Sequence, residues 1–168
     1  MPTLALDRTQ DHAANLYWLA FLLTGQREAS VDATVEALDS PEGNAFFSAW
    51  MLAWARKVVI AKALAAIRTE LAASARRIAS TRDRHCSPRQ PRNWTLASDA
   101  SKAELERALL AIDAFPRCVL LLSLFEGLSI DDATVLLDAD RDLVRKAQVC
   151  ALQELTHNLS VMREAQRA

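Results

Sequence analysis

The residues with the clearest chemical potential are cations set at helical spacing. Arg141, Arg145 and Gln148 stand at i, i+4 and i+7, which places two guanidinium groups and an amide on one helical stripe, with Lys146 beside them. Groups aligned in this way can hold phosphates and hydrogen-bond base edges in a groove. A second cationic set, Arg56, Lys57 and Lys62, lies on a segment that also carries Trp50 and Trp54, and positive charge beside aromatic faces is what single strands bind. The plain alternatives are a solvated face for the cations and a core position for the tryptophans. Two acids, Asp32 and Glu36, share a stripe on an earlier segment.

Covalent chemistry has little to work with. His12, His85 and His157 are dispersed, and His85 and Cys86 are adjacent where metal ligands need spacing. Neither a glycine-rich phosphate loop nor a nucleophile elbow occurs. The expectation is a non-enzyme without metal or cofactor.

The elements that must position these groups are helical. With 3 Gly and 5 Pro among 168 residues, and 51% apolar side chains, the composition points to an all-α chain with ample material for cores. One helix is expected after Thr9 to about Thr24, with Leu16, Leu19, Ala20 and Leu23 as its apolar face and Gly25 beyond it. A second covers about residues 27–38. A third runs without Gly or Pro over residues 44–78, with Phe47, Trp50, Met51, Trp54, Val58, Ala61, Leu64, Ala65 and Ile67 as the apolar stripe.

Residues 81–100 hold Pro88, Pro91 and scattered Arg, which reads as a flexible linker. Beyond it, a helix near Ser101 and a break at residues 113–116 lead into a helix-turn-helix outline. Ser129 is placed to cap one helix with Asp132 three residues on, Asp138 suits a left-handed turn, and Asp140 can cap the last helix. On that last helix Val144, Ala147, Ala151 and Leu155 form the packing stripe; on the helix before it, Ile130, Ala133, Leu136 and Leu137 do so. The expected organisation is two small helical domains, residues 1–80 and 101–168, joined by an Arg/Pro linker at 81–100.

The net charge of −1 conceals an uneven distribution. Residues 1–49 hold 2 basic and 7 acidic side chains, residues 50–92 hold 10 and 2, and residues 93–168 hold 8 and 12. A cationic centre between acidic flanks fits one surface for phosphate and another for a basic protein. Cys86, Cys118 and Cys150 are far apart and odd in number, which favours reduced thiols and a cytoplasmic setting. No apolar run is long enough for a bilayer, and Asp7 and Asp11 stand where a signal peptide would be basic, so no membrane association is expected.

Two segments resemble bacterial sigma factors of the extracytoplasmic-function group. Arg117, the apolar residues 119–122, Glu126-Gly127-Leu128-Ser129 and Val144-Arg145 are similar to that family's helix-turn-helix pattern. Trp50-Met51-Leu52 followed by Ala55-Arg56 resembles its Trp-Leu-x-x-Ile-Ala-Arg-Asn motif, and Asp32 with Glu36 resembles the acidic positions that grip the polymerase clamp. The resemblance covers roughly residues 11–160 in order. The chain departs from the family pattern at several positions: Val35 and Leu38 stand for a Gln and a Phe, Lys57 for an Asn, and Asp142-Leu143-Val144-Arg145-Lys146-Ala147 for Gly-Thr-Val-x-Ser-Arg.

The resemblance implies a transcription initiation protein. Asp32 and Glu36 would bind core RNA polymerase. Arg56, Lys57 and Lys62 would approach the melted strand, while Arg141, Arg145, Lys146 and Gln148 would contact promoter DNA. An anti-sigma factor is a further partner the family admits. The competing expectation is a protein-interaction module or decoy regulator that keeps the fold and has lost promoter recognition, since apolar positions persist better than polar ones and Asp138, Asp140 and Asp142 surround Arg141.

Overall fold

The computed structural model describes residues 3–38, 48–80 and 100–167, and side chains within them at 11–38, 52–80 and 100–165. These residues are helical, with no strand among them: α1 (Thr3–Thr24), α2 (Arg27–Leu38), α3 (Ser48–Ala66), α4 (Arg68–Ser80), α5 (Lys102–Leu110), α6 (Ala114–Leu120) continuing into a π-helical turn (Leu121–Phe125), α7 (Ile130–Leu137) and α8 (Arg141–Arg167). They form two compact units, Met1–Arg68 and Thr69–Ala168. The expected linker at 81–100 lies, but for Ala100, outside the described residues.

In the first unit α1, α2 and α3 pack on one another. The face expected of α1 is buried, with Leu16, Leu19, Ala20 and Leu23 joined by Leu22. Gly25 closes the helix at φ 70, a backbone state that a side chain disfavours. Thr24 links the two helices: its hydroxyl accepts from Gln26 N–H at 3.1 Å and lies 3.0 Å from that of Ser30. Helix α2 turns small residues inward, Ser30, Ala33, Thr34 and Ala37.

The apolar stripe expected on the third helix is displaced. Ala55, Val59, Ile60, Ala63, Leu64 and Ile67 are buried, whereas Trp54 is 37% exposed and Ala61 and Ala65 face solvent. From Val58 to Ala66 this helix is apolar all round except at Lys62, so periodicity offers two faces. Packing selects the one that brings the small Ala55 and Ala63 against its neighbours. The side chains of Phe47, Trp50 and Met51 lie outside the described residues.

The helix expected to continue to residue 78 is broken at Ile67, and its second half, α4, belongs to the C-terminal unit. Ser74 Oγ accepts from Phe115 N–H at 2.9 Å, and Arg77 grips Asp113 with Nε and Nη2 at 2.8 and 2.7 Å. Leu71, Ser74 and Ile78 are its buried residues. No Gly or Pro marks the break; tertiary partners override a locally continuous helix. The division between the compact units falls after Arg68.

The core of the second unit joins α6 and the π turn to α8. Phe115, Val119, Leu120, Leu121 and Leu122 are buried with Val144, Ala147, Ala151 and Leu155, the stripe expected of the last helix. Helix α5 starts at a full capping box, with Ser101 N–H donating to Glu104 at 2.8 Å. Asp113 caps α6, whose Pro116 stands in the first turn where its missing N–H leaves no bond unmade. Arg117 is buried, and its Nη1 donates to Ile112 O at 2.9 Å and Leu110 O at 3.3 Å, fastening the α5–α6 turn. Helix α8 runs well past Leu155, and Asn158 donates to Ala108 O at 3.0 Å.

Candidate nucleic-acid and protein interfaces

The α7–turn–α8 segment is set by local chemistry. Asp132 N–H donates to Ser129 Oγ at 3.1 Å, and the Ser129 hydroxyl donates to the Asp132 carboxylate at 2.6 Å. The two side chains close on each other, while in the full box at Ser101 the longer Glu104 reaches back to the backbone. Asp138 sits at φ 49, ψ 52, the left-handed state that ends α7. Ala139 N–H donates to Thr134 O at 3.1 Å across this turn, and Asp140 Oδ1 takes the Leu143 N–H at 2.8 Å to open α8. Helix α7 departs from expectation: Ala133 is buried, Ile130 and Leu137 are half-buried, and Leu136 is exposed.

The cations proposed to read DNA are only partly presented. Arg141 and Arg145 are exposed on one side of α8, and Lys146 is half-buried. Arg141 is drawn to Asp131 at 3.2 Å. Gln148 does not join the stripe: half-buried, it donates through Nε2 to Ser123 Oγ at 3.0 Å, and Ser123 donates to Val119 O at 2.7 Å. The cause is the π turn, in which Glu126 N–H reaches back to Leu121 O at 3.0 Å. The widened turn holds the Ser123 side chain where α8 passes, so Gln148 ties two elements of the core.

Acids outnumber these cations. Asp131, Asp132, Asp138, Asp140 and Asp142 are all exposed within the segment that carries Arg141, Arg145 and Lys146. Asp132 and Asp140 serve as caps, and Asp142 suits the positive end of α8, so each has a structural reason to be acidic. Their summed field opposes phosphate all the same.

In the first unit the two proposed contact sets meet each other. Lys62 on α3 forms an ion pair with Glu36 on α2, both exposed, so a cation expected to face the strand and an acid expected to face polymerase are engaged with each other. Lys57 is exposed and Arg56 half-buried. Lys57 and Lys62 are five residues apart, about 140° around the helix, and do not share a face. Asp32 remains exposed.

What the sequence reading missed is the outer side of α2. Val31, Val35 and Leu38 are 48%, 55% and 46% exposed at i, i+4 and i+7, while the residues turned inward are Ser, Thr and Ala. The larger apolar groups of this helix face solvent, beside Glu28, Asp32 and Glu36. The signal was present as two stripes of unlike size, and only packing shows which one is inside.

The Arg77 guanidinium hydrogen-bonded to Asp113 holds that carboxyl below its ordinary value, and burial raises that of Glu154. Burial pushes the Cys118 thiol up to about 12. Among the described residues there is no metal-ligating cluster and no helix long and apolar enough to cross a membrane. Comparison with protein-family models, curated proteins and solved structures finds no match.

Proposed function

We propose that this chain is a sigma-factor-like transcription initiation protein. The first unit binds core RNA polymerase through the outer face of α2, and the second is a helix-turn-helix that carries the start of α8 to promoter DNA. The observation that carries the reading is the inverted α2, whose exposed Val31, Val35 and Leu38 lie beside Asp32 and Glu36. An apolar stripe flanked by acids fits a basic, amphipathic protein helix. Val35 and Leu38 occupy two of the positions at which the sigma pattern grips polymerase. The mechanism is recognition without covalent chemistry.

A second reading keeps the fold and the α2 contact but gives up promoter recognition, making the chain a decoy or partner-binding regulator. The engagement of Arg141 with Asp131, of Gln148 with Ser123 and of Lys62 with Glu36 favours it. One experiment addresses both. The full chain is tested for capture of core RNA polymerase and for a DNA shift at two salt concentrations, with Val35→Glu and Leu38→Glu beside the native chain. The reading expects capture that both variants weaken, together with a DNA shift that salt weakens. Capture without a salt-sensitive shift leaves the regulator; absence of capture removes both.

A further inference from the structure

The second unit has an uncovered apolar surface of its own. Of the apolar residues from Leu124 to Leu137 only Ala133 is buried; Val135 is 81% exposed, and Leu124, Phe125 and Leu136 are exposed as well. Helix α7 is apolar at Ile130, Ala133, Val135, Leu136 and Leu137; Ala133 is buried and Ile130 and Leu137 are half-buried, while Val135 and Leu136 stand outside that packing. At the elbow leading into it, the side of Gly127 where a Cβ would stand is open. Isolated exposed apolar side chains are ordinary, but Val135 and Leu136 side by side on one helix, with Leu124 and Phe125 exposed just before it, mark a contact face.

Charge decides what fits there. Asp131 and Asp132 precede Val135 and Leu136 by four residues each, so every exposed apolar group on α7 has a carboxylate one turn away on its own side. Glu126 and Asp138 flank the helix, and Arg141, paired with Asp131, is the basic group nearest to it in sequence. This rim repels nucleic-acid phosphates and anionic lipid. It also opposes a second copy pairing face to face, because the carboxylates would meet their own kind.

We propose that the outer face of α7, with the elbow at residues 124–128, docks a cationic amphipathic helix of another protein. The partner sets an apolar stripe on Val135, Leu136 and Phe125 and places Lys or Arg against Asp131 and Asp132. The α7 face is about 12 Å long, so the contact spans roughly two turns of the partner. The inference stands apart from the polymerase reading, which rests on α2.

The test uses the full chain, isotopically labelled, titrated with a synthetic helical peptide of about 18 residues carrying leucines at i, i+3, i+4 and i+7 with flanking lysines. A glutamate-flanked counterpart and a DNA duplex serve as comparisons. The lysine peptide is expected to shift the amides of residues 124–137 and to weaken as salt rises from about 50 to about 300 mM. Val135→Ser with Leu136→Ser is expected to raise its Kd about tenfold while leaving the melting temperature unchanged, since both side chains are exposed. Shifts confined to α2, equal binding of the glutamate peptide, perturbation of α7 by the duplex, or affinity unaltered in the double variant would each overturn the proposal. So would a dimer in sedimentation that the double variant dissociates.

Discussion

Asp140 combines a structural and an electrostatic role that substitution can separate. Its carboxylate takes the Leu143 N–H at 2.8 Å and opens α8, the helix that supplies Val144, Ala147, Ala151 and Leu155 to the core of the second unit. Loss of such a cap costs about 1 kcal/mol, so Asp140→Ala should lower the melting temperature of this unit by roughly 4–8 °C. Asp140→Ser keeps an oxygen that can accept the same N–H and gives up only the charge. Its melting temperature should fall by less, since only the anion at the helix end is lost, and at this exposed site that is worth the low end of about 0.3–1 kcal/mol. The same Ser variant removes one carboxylate close to Arg141 and Arg145. At surface dielectric that is worth on the order of 0.5–1 kcal/mol, so DNA affinity at low salt should rise by about two- to five-fold and the gain should fade at high salt. Calorimetry and a DNA shift assay read the two effects separately. If Ser proves as damaging as Ala, the cap reasoning is wrong. If the Ser variant leaves affinity unaltered at low salt, α8 is not at the DNA.

Three further outcomes follow from the packing. Asp113 has a folded pKa below its ordinary value, so its bond to Arg77 contributes stability above the unfolded pKa and loses it as pH falls through the folded one. Asp113→Asn should therefore be less stable than the native chain at neutral pH, with the gap closing in acid denaturation below about pH 4; a constant gap refutes the assignment. Ala147 is fully buried between α8 and its neighbours, and Ala147→Leu should cost about 1–3 kcal/mol by overpacking, measured by urea unfolding. Cys118, buried and with its thiol pushed up to about 12, should resist alkylation at pH 8 in the native chain and react once unfolded; rapid native labelling counts against the packing of α6.

Legibility in the sequence followed the range of the interactions. Ser129, Asp138 and Asp140 were readable because caps and left-handed turns are settled within four residues by groups with few alternatives. The stripe of α8 was readable because it alternates with polar positions on the opposite side. On α3 that contrast is missing, and the choice of Ala55, Val59 and Ala63 over Trp54, Val58 and Ala61 belongs to the helices packed against it.

The sequence by itself determined an all-helical chain, the punctuation of its C-terminal helices and the residues that stabilise their ends. Tertiary structure alone decided that α4 leaves α3 at Ile67 to bond Asp113 and Phe115, that Gln148 turns inward to Ser123, and that Lys62 is held by Glu36. It also decided that α2 keeps its larger apolar groups in water and that α7 leaves Val135 and Leu136 there. The physical reason is common to these cases. Local preferences depend on neighbours a few residues away, whereas the fate of a long polar side chain or an apolar face depends on what lies across the fold.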